Sequence, residues 1–585
     1  MGQLATRTKK TPHVEIMTNP TVTENKAGGV SFEITDPAEY LLATIGSSMF
    51  TEPKYYPDNV NFKEKKTVGY NTDGLDEQAV DIIEACIKIS ETATPRDLLA
   101  LANWCRTEMH MRTTPCIMTA VAARCGGTKK FVKKYVPRIA QRPDDIKQIV
   151  AAYEHLFGWK GFPACLKKGV AEAVSKVNEY GFMKYNTDGH PSWKDILCFV
   201  ERKKDYPVSK EVLEYLMNGK IVDAKKTPVF AARHKLNALK EWTDEVPELA
   251  KKSKATWEVL VSQFGNKPEV WKAVIPMMGY MALLRNLSNF LDADIDLGLA
   301  KSVAKTLSDK DAVLKSRQLP FRFFAAHRVL NPDMSRYDPD AKDRRGWNDS
   351  KLTAFLDALD DAMEISVENM AVLPGSTCIA VDTSGSMDIS LSEKSTISVK
   401  DAGLILAALA FKSSARAGGD VHCAAFATEP AWPRLSKRDS VITIMKKLAK
   451  ADTKGWSTDA YKVINHLIKK KIKVDRIVLL SDMQCYGTRS VGEKLIEYRR
   501  KINPKCVLHS VHLNGHDNTT QAPRNGKGKE LNNIISGFHQ NMFAQLVNFE
   551  NPTTPGIQTA DDDVPEAAVQ TPQVIPTMAY IRENY

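Results

Sequence analysis

The sequence predicts a multidomain protein, with an all-α helical-repeat region followed by an α/β doubly wound domain. Three observations carry that prediction. A chain of 585 residues is too long for one hydrophobic core. From about Pro37 to Met370 apolar residues recur at helical spacing. After about Leu373, short apolar runs alternate with helical segments, as in a parallel sheet covered by helices.

Residues 1–28 are polar and poorly patterned, and read as a flexible arm. Residues 29–370 form the helical region. Its grammar is visible at Thr94 and Pro95, a cap and a first-turn proline, with Leu98, Leu101, Ala102 and Cys105 then on one face. Thr114-Pro115 opens a second helix, which Gly126-Gly127 stops, and Thr227-Pro228 opens another. There is no strict repeat, so the helices read as a divergent stack offering extended surfaces instead of a deep catalytic pocket.

Residues 371–550 hold the α/β domain. Strands are expected at Thr377–Val381, Val421–Phe426, Ile477–Leu480 and Val507–Leu513. Helices are expected at Val399–Ser414, Val441–Leu448, Asp459–Lys469, Val491–Lys501 and Asn541–Phe549. Residues 551–585 are rich in Pro, Thr and acid, including Asp561, Asp562 and Asp563, and read as a disordered tail.

The net charge is +11, which favours a polyanionic partner. The excess is concentrated. Between Leu101 and Val150 stand Arg106, Arg112, Arg124, Lys129, Lys130, Lys133, Lys134, Arg138, Arg142 and Lys147, against only Glu108, Asp144 and Asp145. Lys129, Lys130, Lys133, Lys134 and Arg138 are candidate phosphate contacts on charge density alone. The alternative for each lysine is an ordinary solvated helix face. The cysteines contain no CxxC pair, which argues against a zinc ribbon or redox pair and for reduced thiols in a cytoplasmic protein. No apolar run reaches membrane-spanning length.

The most informative string is Ile379 to Asp388, IAVDTSGSMD. An apolar strand runs into Asp382-x-Ser384-x-Ser386, at the carboxyl end where open parallel sheets bind ligands. A second strand ends in Ser481-Asp482, and the loop Gly455 to Asp459 brings Thr458. Asp382, Ser384, Ser386, Thr458 and Asp482 are hard oxygen donors suited to one divalent ion, Mg²⁺ or Mn²⁺. Two alternatives compete. Ser384 and Ser386 merely cap a helix, or Asp382 is a phosphotransfer nucleophile. The second lacks an aspartate two residues on to act as general acid.

This Asp-x-Ser-x-Ser, Thr, Asp order resembles the metal-ion-dependent adhesion site of von Willebrand factor A-type domains. The resemblance implies that a partner protein's carboxylate completes the metal's coordination. The helical region carries further strings: Ala27 to Val30 through Gly46-Ser47 and Tyr55-Tyr56; WKGFPACLKKGV at Trp159–Val170, with Lys184-Tyr185 and Trp193 to Leu197; VWKAVIPMMGYMALLRNL at Val270–Leu287; and Leu359 to Ala362. These resemble the TROVE domain, named for telomerase, Ro and vault proteins. Helical region followed by A-type domain is similar to the Ro autoantigen family. It implies a HEAT-like toroid followed by a doubly wound, Rossmann-like A-type domain.

The resemblance further implies a monomeric, non-enzymatic RNA-binding protein of small-RNA quality control. Y-type noncoding RNA would bind a basic outer surface, and single-stranded 3′ ends of misfolded RNA a central hole. Lys167, Lys168 and Lys184 fall at the matching basic helix, and Arg285 in the most specific string, where a structural role competes. Two departures stand out. Trp193 precedes the Lys-Asp pair where histidine is common, which would exchange a hydrogen bond to RNA for stacking. The Thr loop reads GWST in place of GGT, so that Ser457 competes with Thr458 for alignment. The competing function is a metal-dependent interaction scaffold of a ribonucleoprotein or chelatase-like complex. The chain has no GxxxxGK[ST] loop, so a chelatase role would need a partner ATPase.

Overall fold

The computed structural model describes short stretches before residue 77, most of 77–331, 346–390, 397–484, 491–513, 519–520, 522, 531–536, 542–550, and residues 581, 582 and 585. The predicted tail around Asp561 and most of the predicted arm lie outside the described residues. Inside the arm's span, Val22–Glu24 is a strand, β1, paired antiparallel with β2, Val30–Glu33.

Helices follow in chain order. They are α1 Pro37–Ser47, α2 Glu77–Ser90, α3 Asp97–Thr107, α4 Thr114–Arg124, α5 Lys129–Ile139, α6 Pro143–Phe157 and α7 Ala164–Val174. Next come α8 Glu179–Lys184, α9 Trp193–Phe199, α10 Lys210–Asn218, α11 Pro228–Ala238, α12 Val246–Lys252, α13 Trp257–Phe264 and α14 Pro268–Val274. The series ends with α15 Tyr280–Arg285, α16 Leu287–Asp292, α17 Leu297–Ser308, α18 Lys310–Ser316, α19 Pro320–Leu330 and α20 Asp349–Ser366. The α/β elements are β3 Thr377–Asp382, α21 Val399–Arg416, β4 Val421–Phe426, β5 Pro430–Ala431, α22 Val441–Ala449 and α23 Tyr461–Lys470. They continue with β6 Arg476–Ser481, α24 Val491–Lys501, β7 Val507–His512, β8 Thr519–Thr520, β9 Asn532–Ser536 and α25 Met542–Glu550.

The chain forms two compact units. One contains residues 52–312, 330–359 and 581–585, and the other residues 1–51, 313–329 and 360–580. The helical unit is a stack. In α3 and α4 the residues Asp97–Arg106 and Thr114–Ala123 are buried on every side. They are therefore central helices and not amphipathic cover. Thr94 does not cap α3. Its carbonyl accepts from the Asp97 amide in a turn, and the helix starts at Asp97. Burying Arg106 on α3 requires a partner, and Asp145 of α6 accepts both its Nε (3.0 Å) and its Nη2 (2.8 Å). α5 packs on α7 at Gly169, where a Cβ would meet the Val136 Cβ at 2.8 Å. None of the nine described cysteines forms a disulfide. Among the described residues no helix is long and apolar enough to cross a membrane.

The α/β unit holds a six-stranded sheet in the order β5-β4-β3-β6-β7-β9. β4, β3, β6, β7 and β9 run parallel, and β5 closes one edge antiparallel. β3, β6 and β7 are buried at every position; the middles of β3 and β6 read as continuous apolar runs, whereas β7 buries His509, Ser510 and His512 among its apolar residues. α21 is also buried nearly all round and starts with a reciprocal cap between Ser398 and Asp401. β9 is a strand that the sequence pattern does not predict. Its Asn532 and Asn533 hide it, and Asn533 Nδ2 bonds the buried His509 Nδ1 at 3.0 Å. β1, β2 and β8 form a separate antiparallel sheet.

Candidate functional site

Parallel pairing of β3 with β6 brings the metal candidates together. Val381 stands opposite Leu480, so Asp382 and Asp482 both leave the carboxyl edge of adjacent strands. Asp382 is fully buried and Asp482 is 1% exposed. One Asp382 oxygen accepts from the Ser384 amide at 2.9 Å and the other from the Ser481 hydroxyl at 2.6 Å. Asp482 accepts from the Gln484 amide at 3.0 Å, and His512 Nε2 lies 2.9 Å from its main-chain oxygen. Ser384 is buried and Ser386 exposed, their hydroxyls 3.2 Å apart.

The third loop arrives through Gly455, which has a φ of +118. A Cβ there would also meet the Thr428 hydroxyl at 2.7 Å, so glycine is required on both counts. The loop touches the first one, since Gly385 N donates to Trp456 O and a Gly385 Cβ would meet the Trp456 ring at 3.3 Å. Thr458 is buried, whereas Ser457 is half-buried with its amide on Thr428 Oγ1. Thr458 is thus the inward residue of GWST.

This set fits a hard divalent cation. Burial, then the neighbouring Asp482 charge, pushes the Asp382 pKa up to about 7. Among the described residues neither aspartate has an ion-pairing Lys, Arg or His, although Lys400 pairs with the nearby Asp388. Two buried carboxylates without a cation are costly, and a metal among hydroxyl donors relieves that cost. No cluster of three or more His, Cys, Asp or Glu occurs among the described residues, so this donor set depends on its hydroxyls.

The basic candidates fall on α5 and α7, which pack together, on α8, which packs with α11, and on α15. Lys129, Lys130, Lys133, Lys134 and Arg138 are all exposed on α5, which contains no acid. Lys168 is exposed and Lys167 half-buried on α7, the helix packed against α5. Lys184 ends α8, its ammonium 5.9 Å from the Tyr180 ring and 5.5 Å from Tyr185. Among the described residues none of these forms an ion pair. Arg285 is exposed at the end of α15, a helix that packs with α16 and α17, so it does not join the α5–α7 pair.

Sequence spacing marks Arg142 and Lys147 as charge but does not group them with Lys184. Tyr185 does so, because Arg142 Nη2 donates to its hydroxyl and Lys147 Nζ to its carbonyl. The available signal was the alternation of Tyr180, Lys184 and Tyr185. Arg106 is tied to Asp145, and both Arg112 and Arg142 are tied to Asp144. Trp193 corrects an expectation: it is 1% exposed, packed edge-on against Phe182, and offers RNA no stacking face.

Fold and site together define a helical-repeat protein with an α/β domain whose strand-end rim carries two buried aspartates beside serine and threonine loops. The TROVE domain matches residues 23–253 and 247–342, more than half the chain, and the Ro60 vWA domain matches residues 376–549. The chain belongs to the Ro family of RNA-binding proteins. It is similar in fold to the RO (RSR) protein of Deinococcus radiodurans, with a TM-score of 0.62 and 17% identity, covering 88% of this chain and 99% of that one. It is 26% identical over 310 residues to telomerase protein component 1 of Mus musculus, and 25% over 316 residues to that of Rattus norvegicus. Each match covers 44% of this chain and only 12% of the relative's length.

Proposed function

We propose that this protein binds small noncoding RNA of the Y type on the surface of α5 and α7, and single-stranded 3′ ends of misfolded RNA in a ring formed by the helical unit. It acts without catalysing a reaction, in small-RNA quality control, as a cytoplasmic monomer. The observation that carries this reading is α5, with five exposed cations, no acid and, among the described residues, no ion pair. Such a face exchanges counterions for phosphates. Lys167, Lys168 and Lys184 extend it, with Tyr185 beside them for a base or sugar. Similarity to telomerase protein component 1 supports an RNA partner.

The test is filter binding of a structured RNA with a single-stranded tail, titrated with salt. Affinity is expected to fall linearly on a log–log plot. Charge reversal at Lys129, Lys130, Lys133 and Lys134 is expected to flatten the slope by about 0.7 to 0.9 for each phosphate no longer neutralised. An affinity indifferent to salt sinks the reading.

A second reading concerns the α/β unit. Asp382, Ser384, Ser386, Thr458 and Asp482 hold Mg²⁺ or Mn²⁺, and a partner protein supplies a carboxylate to it. Trp456, 78% exposed beside the Ser384–Ser386 loop, favours this as an aromatic anchor for that partner. Metal-dependent copurification with protein but without RNA would make the scaffold role the principal one.

A further inference from the structure

The helical unit binds a peptide of its own chain. Ile581 is completely buried. Arg582 directs Nε and Nη2 to the same Asp97 oxygen, both at 2.7 Å, where α3 begins. The Asp97 side chain is 4% exposed, so a cation there is needed and not ornamental. The Tyr585 amide returns to the Ile581 carbonyl at 3.0 Å. Its hydroxyl donates to Glu108 Oε1 at 2.7 Å, at the far end of α3.

Two main-chain oxygens of this peptide meet donors from the helical unit. Arg96 Nη1 donates to the Arg582 carbonyl at 3.1 Å, and Tyr135 Oη donates to the Tyr585 main-chain oxygen at 2.7 Å. Arg96 Nε in turn donates to Tyr135 Oη at 2.8 Å, so the two donors form one unit. Tyr135 belongs to α5, between Lys134 and Arg138, and the Arg138 guanidinium lies 5.7 Å from its ring centre. The peptide therefore occupies, with main-chain oxygens, a donor pair formed by Arg96, just before α3, and Tyr135 of α5, the helix with the densest positive charge. A phosphate oxygen uses the same donors.

We propose that the segment Ile581–Tyr585 is a displaceable internal ligand that competes with RNA phosphate for Arg96, Tyr135 and the adjoining end of α5. The inference rests on the RNA reading of α5. The segment is held by few contacts, chiefly the buried Ile581 and the Arg582–Asp97 pair, and the 43% exposed Arg582 side chain gives water a route to that pair. Its tether to the same chain supplies the high effective concentration that lets a weak ligand compete.

The test compares the full chain with the Arg582→Ala variant and with a chain lacking residues 581–585. Binding of a single-stranded oligoribonucleotide is read by fluorescence anisotropy. Both variants are expected to bind it three- to tenfold more tightly than the parent. A synthetic peptide of residues 578–585, added to the shortened chain, is expected to reverse the gain, and its Arg582→Ala version is not. Hydrogen exchange at the α3 amides following Arg96 reports the docking without RNA. Protection lost on shortening with RNA affinity unchanged overturns the competition. Protection unchanged overturns the docking itself. If neither form binds RNA while labelled peptide still binds, the RNA reading of α5 has failed and the competition falls with it, but the peptide site stands.

Discussion

Asp382 shows what one residue contributes and where its behaviour is testable. Its carboxyl is buried beside Asp482, and its pKa is raised to about 7. The folded protein therefore holds a proton that the unfolded chain, with an ordinary aspartate, has released. Metal-free stability accordingly falls as pH rises from about 4 to about 7. On the proposed metal reading, the cation competes with that proton, so Mg²⁺ binding is expected to strengthen over the same window. Saturating Mg²⁺ at about 100 times its Kd is expected to add about 2.7 kcal/mol. For a unit of this size that is a Tm increase of about 5–10 °C near pH 8 and a smaller one near pH 5.5. Asp382→Ala is expected to abolish the metal-induced shift in differential scanning fluorimetry. A metal shift independent of pH and surviving Asp382→Ala would falsify the assignment. The five oxygens were legible as an ordered motif, because strand ends and Ser/Thr loops have a sequence signature. Their unequal exposure was not: Ser386 is exposed while Thr458 is buried, and that follows from how three loops meet.

At the scale of elements, close packing decides more than propensity. Gly169 of α7 lies against Val136 of α5, and a larger residue there has nowhere to go. Gly169→Val is expected to cost about 1–3 kcal/mol by urea unfolding. It should also weaken RNA binding by shifting Lys168 relative to the α5 lysines. The α/β unit is clamped where β6 meets α25. Arg476 Nε and Nη2 reach the two Glu550 oxygens at 2.6 Å each, and His509 Nε2 lies 2.9 Å from one of them. Arg476→Met leaves the half-buried Glu550 with a weaker partner and is expected to destabilise the unit by about 2–3 kcal/mol. Equal urea midpoints for variant and parent would show the clamp to be dispensable. Most strands and helices of this unit were legible because their apolar period is strong. β9 was not, since Asn532 and Asn533 break the run and are accommodated only by partners from other elements.

At the scale of the whole molecule, a net charge of +11 matters through its placement. Charge reversal on α5 is expected to lower RNA affinity at least tenfold at about 150 mM salt, whereas Arg285→Glu, on a helix outside the α5–α7 pair, is expected to change it less than twofold. Equal losses from the two would show a diffuse field in place of a site. The sequence alone determined the order of the two kinds of architecture, the strand-end aspartates and the basic stretch. Each is written in local periodicity, spacing or composition, which neighbouring residues along the chain suffice to express. The tertiary structure alone decided that Arg106 and Arg112 are tied to acids, that Trp193 is core, that Trp456 is exposed, and that Arg582 and Tyr585 return to α3 and α5. These depend on contacts between residues far apart in the chain. Burial and pairing of that kind are set by which surfaces meet, and no local pattern encodes it.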